Sequence, residues 1–383
     1  MDIQTAAGKF GGKILRYGPA AILVVAAFGQ APAARADIPI ALAGPMTGSN
    51  AAVGEQLKKG AEQAVKDINA AGGVLGQPLV LTEEDDACDP KQAEAVANQL
   101  VSKGVVFVDG HFCSSSSIPA SAVYADAGIL EISPASTNPK YTDDAAAKGW
   151  NNIYRVCGRD DQQGAIAAKF IEKTFPGKNI AILDDKSTYG AGLAGVTRQV
   201  LNGDGVKEVD DDEITAGDSD FTALISKLKA AKVDLIYFGG YPREGGLIVR
   251  QAHDQGMQTV LMGGDALQTN DFWSITGPVG EGSLFTFASD PMANPAAQAI
   301  VAEFKAAGYN PEGYTLYSYA AVQVFAQAAK AAGSTSLPDL VKAMHATAFS
   351  TVIGPINFDE KGDRAVADFV PWHWHNGVTT MLP

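Results

Sequence analysis

Four consecutive serines, Ser114, Ser115, Ser116 and Ser117, precede a second small polar cluster, Ala135, Ser136 and Thr137. Each cluster follows a short apolar run, residues 105–109 (VVFVD) and 129–133 (ILEIS). Such runs are expected as buried parallel strands. Strands of one parallel sheet share a direction, so both clusters belong at its carboxyl edge, where open α/β sheets bind ligands. Hydroxyls and the N–H groups of a starting helix suit an anion such as a carboxylate. A carbonyl beside a hydroxyl suits an amine. Two ordinary helix caps would give the same pattern, and both readings stand on these residues alone.

Other chemistry is weaker. His111 lies close in sequence to Ser114, which invites a Ser–His hydrolase. A base must reach the hydroxyl in space and be oriented by a third group, however, and no G-x-S-x-G elbow is present. A strand-end packing role suits His111 better. Gly190, Gly192 and Gly195 match G-x-G-x-x-G but do not directly follow a strand, which argues against a dinucleotide. His373 and His375 share one strand face, expected at an exposed edge, and two histidines make a poor metal site. Glu83, Glu84, Asp85 and Asp86 lack calcium-loop spacing and read as loop charges. No cofactor and no metal are expected.

These residues need a scaffold, and the chain supplies one. Strand and helix patterns alternate: 39–42, 53–71, 79–82, 90–103, then the two strands above with a helix between them. A second unit runs 160–174 (helix), 179–183 (strand), 191–202 (helix), 206–209 (weak strand), 218–232 (helix capped by Asp218 or Ser219), 233–238 (strand), 243–255 (helix) and 259–262 (strand). A strand at 283–287, helices near 296–307, 314–332 and 337–345, and a final strand over 366–374 follow. Repeated βα units imply parallel sheets with helices on both faces. The late helices are expected to pack back onto the first unit.

The chain has 383 residues, 46% of them hydrophobic, enough for two cored units, and a formal net charge of −14. That charge carries no basic stripe for nucleic acid. The first 36 residues differ from the rest. Lys9, Lys13 and Arg16 precede an apolar stretch, 19–29, too short to span a bilayer, and Ala34-Arg35-Ala36 is a cleavage pattern. This reads as a signal peptide cleaved after Ala36, hence an exported protein. In an oxidising compartment a cysteine pair is expected. Cys88 and Cys113 both follow strands at the same sheet edge and are the expected pair, contributing roughly 3 kcal/mol. Cys157 is left buried and inert.

The segments 85–93 (DDACDPKQA), 110–121 (GHFCSSSSIPAS), 128–137 (GILEISPAST), 185–194 (DKSTYGAGLA), 237–246 (YFGGYPREGG) and 351–363 (TVIGPINFDEKGD) resemble the leucine/isoleucine/valine-binding proteins of bacterial ABC transporters. The resemblance spans nearly all of 37–383. It implies an α/β fold of two doubly wound parallel-sheet lobes joined by three crossovers, the type I periplasmic binding protein fold. The lobes would be 37–157 plus 288–367 and 158–287 plus 368–383, with the ligand cleft between them. It also implies the Cys88–Cys113 bridge.

By the same likeness, Ser114 and Thr137 would hold an α-carboxylate, and Ala135 with Thr137 an amine, with Ser136 between them. Asp265 would neutralise the ammonium, and Tyr189, Tyr241 and Tyr314 would line the pocket. Phe112 and Val53 match side-chain positions where branched-chain binders carry a Leu-like residue and an aromatic, respectively. The implied function is delivery of leucine, isoleucine, valine or a smaller neutral amino acid to inner-membrane ABC permease subunits by a periplasmic monomer. Binding of amides, urea or other small carboxylates, or a secreted Ser-dependent hydrolase, are the alternatives.

Overall fold

Apolar runs such as IPIALAG, IAILD and LIYFG hide both faces only in the middle of a helix-covered parallel sheet. A computed structural model describes residues 8–9, 11–13, 36–366 and 368–383 and shows them doing so. The segment read as a signal peptide lies almost wholly outside the described residues. So does Ala367, one of the expected lobe limits.

The first sheet is built from β1 (Ile38–Gly44), β2 (Leu79–Asp85), β3 (Phe107–Gly110), β4 (Leu130–Ser133) and β5 (Ile153–Arg155). Its order is β2-β1-β3-β4-β5, all parallel. The intervening helices are α1 (Ala51–Ala70), α2 (Pro90–Ser102), α3 (Ser114–Ala127) and α4 (Lys140–Ala147). Asp89 caps α2, accepting from the N–H groups of Lys91 (2.9 Å) and Gln92 (2.8 Å), with Pro90 in the first turn.

The second half opens with α5 (Asp160–Thr174), β6 (Ile180–Asp184), α6 (Thr188–Gly203), β7 (Asp210–Glu213) and α7 (Thr222–Ala230). It continues with β8 (Leu235–Gly239), α8 (Pro242–Asp254), β9 (Val260–Gly263), α9 (Asn270–Thr276) and β10 (Leu284–Phe287). Next come α10 (Gln298–Ala306), α11 (Thr315–Ala332), α12 (Leu337–Ala346), the small hairpin β11 (Phe349–Thr351) and β12 (Gly354–Ile356), and a last hairpin, β13 (Val370–His375) and β14 (Val378–Met381). The second sheet runs β14-β13-β10-β9-β8-β6-β7. Strands β6 to β10 in it are parallel, while β13 and β14 are antiparallel additions.

The chain leaves the first sheet after β5. It returns after β10, when α11 packs along α1 and the Phe107 and Phe325 rings stack 4.6 Å apart. It enters the second sheet again at β13.

Several expectations need correction. Strand β7 is Asp210–Glu213 and not 206–209, because an edge strand can turn acidic residues to solvent, where Lys227 pairs with Asp210 (2.9 Å) and Asp212 (2.8 Å). Helix α7 starts at Thr222, since Asp218 instead closes a turn by accepting from the Thr215 N–H (3.0 Å). Glu83 and Glu84 lie on β2 and pair with Lys58 and Lys103, so they are not loop charges. Asp86 is buried against His111. The final strand begins at Val370 and lies between β10 and β14, so His373 and His375 are not on an edge strand.

Candidate ligand-binding site

Strands β3 and β4 pair in parallel and end side by side, which brings the loops after them together. Serine hydroxyls stitch those loops. Ser133 donates to the His111 carbonyl (2.7 Å) and accepts from the Ala135 (3.2 Å) and Ser136 (2.8 Å) N–H groups. Ser136 lies within reach of the His111 (3.1 Å) and Phe112 (2.9 Å) carbonyls and makes a short contact with Ser117. The Ser136 hydroxyl is therefore spent on the scaffold. Ser114 accepts from the Asn138 N–H (3.3 Å). It is the first residue of α3 and not its cap; that position belongs to Cys113, whose sulfur is bonded to Cys88. Thr137 is buried, and its hydroxyl makes no hydrogen bond.

Arg155, at the end of β5, holds this loop from behind. It is fully buried, ion-paired with Asp363 (2.7 Å), and donates to the carbonyls of Ser136 (2.7 Å) and Asn138 (3.1 Å). A buried guanidinium group needs such partners.

The facing wall comes from the second half. Asp265 follows β9 across Gly263 and Gly264. A Cβ at Gly264 would stand 2.3 Å from the Tyr189 hydroxyl, so only glycine allows this approach. Asp265 is buried; its Oδ1 accepts from Tyr189 (2.9 Å) and its Oδ2 accepts a short hydrogen bond from Tyr314. Burial pushes its carboxyl above the usual range, and the Tyr314, Tyr189 and Gln163 side chains pull it back. Burial likewise raises the phenols of Tyr189, Tyr241 and Tyr314, so they remain donors.

Between the walls lies a small cavity of about 10 Å³, lined by Phe112, Ser114, Ala135, Tyr189, Tyr241, Asp265 and Ala266. That is room for about one water, so the two walls stand close together. The Phe112 ring meets Tyr241 and Tyr314, each at 5.9 Å, and Tyr189 meets Tyr241 at 5.4 Å.

The fold thus gathers six expected residues around one cavity: Phe112, Ser114, Ala135, Tyr189, Tyr241 and Asp265. Tyr314 reaches it through Asp265. Ser136, Thr137 and Val53 are not among the cavity-lining residues: the first two are buried in the loop beside it, and Val53 sits on α1 in the core. Residues outside the expected set are Asn138, Arg155, Asp160, Gln163 and Ala266. The two acids in the run Arg159-Asp160-Asp161 at a helix start were the available signal for Asp160. His111 faces away from Ser114: its Nδ1 lies 2.6 Å from Asp86 and its Nε2 3.0 Å from Tyr124. Cys88 and Cys113 form a disulfide with Cα atoms 5.5 Å apart, and Cys157 is free and buried, its thiol pushed up to about 12.

A cleft between two open parallel sheets, with ligand-facing loops at their carboxyl ends, defines a two-lobed binding protein. Residues 37–377 match the periplasmic binding protein family, and the chain belongs to it. It is 48% identical over 359 residues to a Leu/Ile/Val-binding protein homolog 1 of Brucella suis, covering 94% of this chain and 95% of that one. It is 45% identical over 375 residues to an amino acid binding protein of Pseudomonas aeruginosa, covering 97% and 99%. Among solved structures, the branched-chain amino acid transporter substrate-binding protein LivJ of Streptococcus pneumoniae, in complex with isoleucine, superposes with a TM-score of 0.82 at 26% identity, covering 91% of this chain and 99% of that one.

Proposed function

We propose that this chain is an exported solute-binding protein that captures a neutral aliphatic amino acid and delivers it to the permease of an ABC transporter. Leucine, isoleucine, valine and smaller neutral amino acids are its ligands. The observation that carries this reading is Asp265, a buried carboxylate held by two tyrosine hydroxyls across a small cavity from Ser114 and the start of α3. A zwitterion needs opposite poles on the two walls of its site, because each buried charge must meet a partner. The names of the relatives and the isoleucine in LivJ support the same ligand class.

In this reading the lobes are 37–157 plus 288–367 and 158–287 plus 368–383, and they close on the ligand. Ser114 and Thr137 bind the carboxylate, the Ala135 carbonyl and Asp265 bind the ammonium, and Tyr189, Tyr241, Tyr314 and Phe112 enclose the side chain. The leader is cleaved after Ala36, and the mature protein works in the periplasm as a monomer. It performs no catalysis: the serine run supports no hydrolase, because both His111 nitrogens are engaged away from Ser114. Mass spectrometry of ligand released from the purified protein, followed by calorimetry with L-leucine, L-alanine, acetamide and urea, tests the reading. Tight binding of an uncharged amide with no binding of any amino acid would overturn it.

A further inference from the structure

Asp160 opens α5 beside the cleft. It is wholly buried, and neither carboxylate oxygen makes a hydrogen bond. Its N–H donates to the Thr137 carbonyl (2.9 Å), which fixes it against the loop after β4. The charged and titratable groups around it come from every packed element: Asp265 after β9, Arg155 on β5, Cys157, Asp161 on its own helix, Tyr189 on α6, and Tyr237 and Tyr241 at β8. Arg155 is the one cation among these, and Asp363 and two carbonyls already occupy it.

Two carboxyl groups in one dry space do not both ionise. Asp265 has two tyrosine donors, which offset part of the cost of its burial. Asp160 has none, and an unpaired buried carboxylate neutralises itself by taking a proton. Burial and the neighbouring Asp265 both push its carboxyl well above the usual range, against a smaller pull from Thr137 and Arg155. A neutral carboxyl is a donor. The acceptor at hand is the Thr137 hydroxyl, which is buried and otherwise unpartnered. A hydroxyl that accepts from Asp160 has its own proton free for a ligand oxygen. Beside an ionised Asp160 it would point that proton backwards and show the ligand a lone pair.

We propose that Asp160 sits in the cleft as a neutral acid that donates to Thr137, so that the Thr137 hydroxyl is oriented as a donor to the bound carboxylate. Asp160 is thus a positioning residue. This rests on the amino acid reading given above, but its protonation can be read without any ligand. In infrared spectra of the full exported chain, wild type minus Asp160→Asn should show the loss of one protonated-carboxyl component that wild type minus Asp265→Asn does not show, the other buried carboxyls, Asp109, Glu131 and Glu312, cancelling in both differences. Asp160→Asn, which keeps a donor, should bind L-leucine within about threefold of wild type, whereas Asp160→Ala should bind at least tenfold more weakly. A protonated-carboxyl signal undiminished in Asp160→Asn, or equal losses of affinity in the Asn and Ala variants, would overturn the proposal. A wild-type protein that shows the Asp160 component but ignores L-leucine would instead count against the ligand reading.

Discussion

The side-chain amide of Asn138 donates to the carbonyl of Thr188 (2.7 Å), tying the loop after β4 in the first half to the first turn of α6 in the second. Gly192, one turn further along α6, leaves room for it; a Cβ there would stand 2.4 Å from the Asn138 Nδ2. The bond needs the two halves to be together, so in the proposed two-lobe reading it would favour closure. Asn138→Ala should weaken ligand binding by about 1 kcal/mol, the usual worth of one hydrogen bond, and Gly192→Ala should do at least as much harm by steric exclusion. Calorimetry with small-angle scattering checks this. Unchanged affinity and unchanged closure in both variants would remove Asn138 from the closing mechanism.

Asp265 carries a sharper expectation. Asp265→Ala should cost roughly 2–5 kcal/mol of binding, the range for losing one partner of a buried charge pair. The ligand-free protein should lose little stability, because the variant also removes a buried carboxyl that burial penalises. A lowered ligand-free melting temperature with intact affinity would show that Asp265 merely anchors Tyr189 and Tyr314.

How far such groups could be seen in the chain beforehand depends on the range of the forces that place them. Strands β6 and β8 were legible because their runs are apolar throughout, as burial on both faces demands. Strand β7 is DDDE, and only pairing with β6 makes it a strand. The β13–β14 hairpin did carry a local signal, Asn376-Gly377 with positive φ at both residues, the turn chemistry of a two-residue hairpin. Ser114 and Asp265 were legible from strand ends and from the family resemblance. Arg155 and Asp160 were not: the first is defined by Asp363 and the second by Thr137 and Asp265, partners that no sequence period brings near.

Glu312 predicts a pH dependence. It lies just before α11, accepts from the Asn270 N–H at the start of α9 (3.1 Å), and its carboxyl is pushed by burial to about 7 from 4.5. A raised native value means the folded state holds its proton longer than the unfolded chain. The stabilisation is full below about pH 4.5 and is lost as pH rises through about 7. Glu312→Gln should therefore be more stable than wild type at pH 8, by about 1–2 kcal/mol, with the gap closing towards pH 5. Melting temperatures across that range decide it, and a gap that grows on acidification would contradict the assignment.

The cysteines should behave in two distinct ways. Replacing both Cys88 and Cys113 with serine should lower stability by about 2–4 kcal/mol, while ligand affinity falls little, since the sulfurs do not line the cavity. Cys157 is buried, and its thiol is held at about 12, so it should resist alkylation in the native protein and react only on unfolding. Peptide mapping after native-state alkylation tests both claims. A labelled Cys157 in the folded protein would show that the buried segment after β5 opens.

Phe112 sets the size of the ligand. Its ring lines the cavity, 5.9 Å from the rings of Tyr241 and Tyr314, and is almost fully buried. Val53, the other residue at a side-chain position by resemblance, stays in the core and is not among the lining residues, which leaves Phe112 as the one to vary. Phe112→Leu removes ring volume without exposing a polar group. The lost ring contacts should cost a small ligand about 1 kcal/mol, and the space gained should favour a longer side chain by about 1–3 kcal/mol, the range for one or two methylenes in an apolar pocket. The expected outcome is a shift of preference from valine towards leucine or methionine by roughly tenfold, read as the ratio of dissociation constants. Equal losses for all three amino acids would mean that Phe112 supports the two tyrosines and does not measure the ligand.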